Sequence, residues 1–70
     1  MSHSYTFLLN GQQYCTKQTI SLLELVTYFN YNDSLLVLEY NHLICNRTNW
    51  NKISINNNDK IEIVTIVGGG

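Results

Sequence analysis

Apolar side chains recur at every second position near the start of the chain, where Tyr5, Phe7 and Leu9 share one face of an extended segment. Asn10-Gly11 follows, and both residues tolerate positive φ, so the pair predicts a tight hairpin turn. Residues 12–17 then form the returning strand. The period changes after Ile20. Ser21-Leu22-Leu23-Glu24 has the spacing of a capping box, in which the Ser and Glu side chains each accept from the other's backbone N–H. Ile20 and Leu25 stand where a hydrophobic staple would close across that cap. Leu22, Leu25, Val26 and Phe29 recur at i, i+3, i+4 and i+7, the stripe of one amphipathic helix, which Asn30, Asn32 and Asp33 bring to an end.

Beyond the helix the chain returns to strand-length runs. Residues 35–39 are one, Tyr40-Asn41-His42 is a turn, and Leu43-Ile44-Cys45 is the next. A polar stretch, 46–51, holds the single tryptophan, Trp50, which is expected to cover one end of the core. Ile53-Ser54-Ile55 alternates like a short edge strand, and Asn56-Asn57-Asn58-Asp59 is a turn cluster. Residues 60–67 form the last strand, with Ile61, Ile63 and Thr65 toward the core and Glu62, Val64 and Ile66 on the opposite face. The order β-β-α-β-β-β in so short a chain predicts an α+β fold. It is a β-grasp (ubiquitin-like) roll, a mixed four- to five-stranded sheet with one helix across one face. The domain is expected to span 1–67, with 68–70 a flexible Gly-rich tail.

Composition narrows the function. Seventy residues carrying 44% hydrophobic and 13% charged side chains can build one small core and leave little room for a deep enzymatic pocket. The net charge of -1, with Lys17, Arg47, Lys52 and Lys60 scattered, argues against a nucleic-acid partner. No apolar run is long enough to cross a membrane, and residues 1–10 lack the pattern of a signal peptide, so a soluble intracellular protein is expected. Ten Asn with neither Ala nor Pro suggest an AT-rich genome, hence a plastid stroma or the cytoplasm of a low-GC bacterium.

Chemistry concentrates at the end. Three of the four glycines are Gly68-Gly69-Gly70. A run without Cβ atoms can extend and thread a narrow channel, and a terminal glycine carboxylate is an unhindered group for activation as an acyl-adenylate. The plainer reading of such a run is a frayed end. Val64 and Ile66 would add an apolar docking surface beside the tail; a twist or bulge that buries them is the competing expectation.

The closing segment 59–70, Asp-Lys-Ile-Glu-Ile-Val-Thr-Ile-Val-Gly-Gly-Gly, resembles that of ThiS, the sulfur carrier family of thiamin biosynthesis. Leu8, Asn10 and Gly11, Thr19-Ile20 with Leu22-Leu23, and Val37, Glu39 and Asn41 add weaker likenesses over nearly the whole chain. The resemblance implies that Gly70 is adenylated by a ThiF-type enzyme, then converted to a thiocarboxylate whose sulfur passes to the thiazole synthase ThiG. Gly68 and Gly69 would thread into the partners' active sites, and Glu62, Val64 and Ile66 are docking candidates. ATP and magnesium would belong to the activating enzyme and sulfur to a donor enzyme. The carrier itself would bind no cofactor or metal and supply no catalytic residue. The small subunit of molybdopterin synthase, a ubiquitin-like protein modifier and an inert β-grasp interaction module are the alternatives.

Other reactive residues have plainer readings. Cys15 and Cys45 are expected as partly buried reduced thiols, with no His or helix start beside them in sequence to activate either. His3 and His42 read as exposed loop residues. Tyr28, Phe29 and Tyr31 invite comparison with a base-stacking platform, but Phe29 belongs to the core stripe and there is no basic groove.

Overall fold

The computed structural model describes residues 4–29 and 36–65. Two strands, β1 (Tyr5–Leu9) and β2 (Gln12–Thr16), form the first hairpin, and α1 (Leu22–Tyr28) crosses the sheet. β3 (Leu36–Tyr40), β4 (Leu43–Ile44) and β5 (Lys60–Thr65) complete it. The spatial order is β2-β1-β5-β3-β4, a five-stranded mixed sheet, as the pattern predicted. β1 and β5 are the parallel pair at its centre, and every other pairing is antiparallel.

Turn chemistry explains both hairpins. Asn10 (φ 52) and Gly11 (φ 80) occupy the left-handed region that a two-residue connection of this hand requires. The β3–β4 turn does the same with Asn41 (φ 53) and His42 (φ 73). That places the turn one residue later than the sequence suggested, with β3 extending through Tyr40.

The helix is short, so its stability comes from packing and capping more than from propensity. Ser21 and Glu24 form the expected capping box, with bonds of 3.1 and 2.8 Å. The remaining free N–H groups of the first turn find backbone carbonyls. Leu22 donates to Ile53 O (3.0 Å) and Leu23 to Trp50 O (3.2 Å), while Leu25 makes the helix's own first bond, to Ser21 O (3.1 Å). Residues 50–55 are thus tied to the helix start, and Ile53-Ser54-Ile55 makes only a single bridge, Ser54 to Ser21, instead of a strand. A tight helical turn at Arg47–Asn49 delivers Trp50 into the core.

Phe7, Leu9, Leu22, Leu25, Val26, Leu38, Trp50, Ile55, Ile61 and Ile63 form that core, with Ile20 and Phe29 packed at its margin. Trp50 is more than a lid: it is fully enclosed, and its Nε1 donates to Cys45 O at 3.0 Å.

The turn cluster before β5 holds a feature its polar composition concealed. Asp59 is buried, and its carboxylate accepts from Tyr40 Oη (2.5 Å), Asn41 Nδ2 (3.1 Å) and the Asn56 backbone (2.7 Å). Asn41 Oδ1 in return accepts from the Lys60 backbone (2.8 Å). One carboxylate therefore stitches the β3–β4 turn to the start of β5. Burial, then the bond to Asp59, then repulsion from Asp59 and Cys45 push the Tyr40 phenol up to about 12.

Removal of the Asp59 carboxylate by Asp59→Ala is expected to cost about 2–3 kcal/mol, the loss of a charge-assisted cluster with its donors left inside. Thermal unfolding measures it. The folded state holds the Tyr40 proton more tightly than the unfolded chain, whose phenol titrates at the ordinary 10.0. Its contribution is therefore whole below that pH and is lost as pH rises through about 12. Tyrosinate absorbance should show this late titration in the parent and an earlier one in Asp59→Ala.

Candidate functional site

β5 is the last described strand before the glycine run in the sequence. Its inward residues, Ile61 and Ile63, are buried in the core. On one side it pairs with β3 along its length, from Tyr40↔Ile61 to Leu36↔Thr65. On the other it outruns its partner: β1 ends at Leu9, opposite Ile61. The hairpin turn then takes over. Asn10 N–H donates to Ile61 O (2.9 Å), and Asn10 Oδ1 accepts from Ile63 N (2.8 Å). A side-chain amide thus replaces the missing strand partner at Ile63, two residues past the end of the β1 pairing.

The outer face of β5 carries Lys60, Glu62 and Val64, all exposed. Val64 is 61% exposed, so no bulge turns it inward. Thr65, expected on the core side, is exposed as well, because the core closes at Ile63. The β3–β5 register sets Val37 beside Val64 and Glu39 beside Glu62, and the β3–β4 register adds Ile44 next to Glu39. Ile44 is 71% exposed. Sequence reasoning had singled out Glu62 and Val64. It missed Val37 and Ile44, whose place on this face depends on pairing across strands. Ile66, Gly68, Gly69 and Gly70 lie outside the described residues, as do His3 and Tyr31.

The remaining candidates do not assemble into a reactive centre. Cys15 is exposed on the edge strand, a correction to its expected partial burial, since it faces away from the helix. Cys45 is half-buried, and burial pushes its thiol up, away from thiolate reactivity. His42 is an exposed turn residue. Among the described residues no three His, Cys, Asp or Glu side chains gather as a metal site, and no helix is long and apolar enough to cross a membrane. On the opposite side of the sheet, an open groove of about 630 Å³ runs between β2 and the helix, past Tyr14, Leu23, Tyr28 and Phe29. Its walls are predominantly apolar.

The sequence profile of the ThiS family matches residues 7–70, from β1 through the last glycine. The chain belongs to the ThiS family. That membership carries the coarse role of a sulfur carrier. The uncharacterized protein ycf40 of Trieres chinensis is 64% identical over the full chain and 96% of its own length. The ycf40 protein of Pyropia yezoensis is 34% identical over the whole of both chains, and that of Porphyra purpurea 34% identical over 89% of this chain and 87% of its own. A solved structure, the thiamine biosynthesis protein ThiS from Geobacter metallireducens, superposes with a TM-score of 0.79. It covers 93% of this chain and 99% of its own at 18% identity, and so shares the β-grasp fold.

The Asn10 anchor of this ThiS-family chain can be tested separately from its turn conformation. Asn10→Gly keeps the positive φ and removes Oδ1. It is expected to lower stability by about 1 kcal/mol, with Ile63 amide exchange accelerated more than that of Ile61. Hydrogen exchange resolved by residue checks both.

Proposed function

We propose that the chain carries sulfur on its C-terminal glycine, Gly70, for construction of the thiazole of thiamin. The observation that carries this reading is the match of the family profile through Gly70, joined to a final strand held by Asn10 as far as Ile63 on one side and by β3 as far as Thr65 on the other. The carboxylate of Gly70 attacks the α-phosphorus of ATP on a ThiF-type enzyme, releasing pyrophosphate and leaving an acyl-adenylate. A hydrosulfide equivalent from a donor enzyme then attacks the glycyl carbon and expels AMP, which leaves a thiocarboxylate. Thiazole synthase, ThiG, receives that sulfur.

The carrier's part in this chemistry is positional. Adenylation converts a poor leaving group into a good one, and the phosphates and magnesium are held by the activating enzyme. Gly68 and Gly69 let the tail pass where side chains would not. The exposed face around Val64 and Glu62 is the docking surface. Nothing in this scheme requires a catalytic side chain, a metal or a cofactor on the carrier. The Asn-rich composition without Ala or Pro, as an AT-rich genome would encode, and the ycf40 relatives support the plastid stroma as the compartment.

Intact mass after incubation with ATP, a sulfur donor and an active ThiF-type enzyme tests the assignment. The expected product has one oxygen replaced by sulfur at Gly70, and a chain lacking Gly70 should show no such product while unfolding at the parent's temperature. An unchanged mass, with an enzyme proven on another carrier, would reject it. Transfer of Gly70 to a lysine in place of sulfur loading would instead identify a protein modifier.

A further inference from the structure

The outer face of the sheet has a charge arrangement that folding alone does not favour. Glu39 and Glu62 are directly opposed across the β3–β5 ladder, on adjacent strands about 5 Å apart. Like charges in that register are destabilising. No ion pair joins either carboxylate to a described residue. Lys60 shares their face, but one pleat further along β5, beside the β3–β4 turn and opposite Leu8. Toward the tail the two glutamates meet Val37 and Val64, and toward the sheet edge they meet Ile44. The result is a pair of carboxylates, Glu39 half-buried and Glu62 exposed, set among half-buried Val37 and exposed Val64 and Ile44, with Glu62 three residues before the end of β5.

A purely apolar partner would have to desolvate both carboxylates without compensation, at a cost that would oppose docking. Charge complementarity therefore selects the occupant. We propose that this face receives a protein surface on which a single arginine, flanked by apolar side chains, bridges Glu39 and Glu62. A guanidinium suits the task because its planar fork of donors can serve two carboxylates at once, whereas an ammonium acts as a point charge. Its arrival also removes the repulsion between the pair. The inference rests on the reading that this face docks the activating enzyme, and adds the chemistry that would recognise it.

Titration calorimetry of the full chain with its ThiF-type activating enzyme, at low and at physiological ionic strength, tests it. Glu39→Gln and Glu62→Gln preserve shape and relieve like-charge repulsion, so each should unfold at or above the parent temperature. Each is expected to weaken binding about tenfold or more, and to flatten its salt dependence. Parent-like affinity in both variants would overturn the proposal. So would weaker binding with unchanged salt dependence, because the loss would then owe nothing to charge. Val64→Asp separates this failure from that of the docking surface. If the glutamine variants bind normally and Val64→Asp does not, the face still docks but does not read the carboxylate pair. If Val64→Asp also binds normally, the face is not the docking surface at all.

Discussion

The parallel pairing of β1 with β5 joins segments from the two ends of the sequence, and the other elements are arranged around it. Leu8 N–H reaches Asp59 O and Asn10 N–H reaches Ile61 O, so the first hairpin is bonded to the last strand at its beginning. β2 and β3 add on either side, and the helix covers the inner face that Phe7, Leu9, Leu38, Ile61 and Ile63 present. Such a long-range contact repays its loop-closure entropy only when the intervening chain is already compact. Asp59 supplies part of that compactness. Its carboxylate closes the 56–59 turn and holds Tyr40 and Asn41, so β5 begins at a defined height beside β3.

That central pair also divides the molecule into surfaces with different tasks. The inner side of the sheet is occupied by the helix and Trp50 and is devoted to stability. The outer side carries Val64, Val37 and Ile44 around Glu39 and Glu62, with no element of the described residues packed over it. Under the proposed role, with the reactive group at Gly70, this division has a physical logic. Docking energy is gathered on a rigid surface, and the short tail beyond it needs only length and freedom from side chains. Asn10 links the two, because it extends the rigid part of β5 past the end of β1.

The likeness to the ThiS of Geobacter metallireducens shows how little sequence such a fold retains, with a TM-score of 0.79 at 18% identity. Alternating apolar positions, two turns that tolerate positive φ and one capped helix suffice for the architecture, and many side chains satisfy each of these. Identity rises among the ycf40 proteins, where the match spans essentially the whole chain.

Local physics made much of this protein legible in its residues. Asn10-Gly11 specifies a hairpin whatever surrounds it, Ser21 and Glu24 specify a helix start, and the alternation of Ile61, Glu62, Ile63 and Val64 separates an inner face from an outer one. The glycine run by composition alone was equally readable as a frayed end, and only the likeness of the closing segment to the ThiS family gave it a proposed role. Tertiary structure decided what depends on partners distant in sequence. It made Asp59 a buried anchor instead of one more turn residue, moved Trp50 from the rim into the core, and ended burial on β5 before Thr65. It also set Glu39 against Glu62, residues whose opposition no local pattern encodes, because strand register is fixed by the packing of a whole face at once.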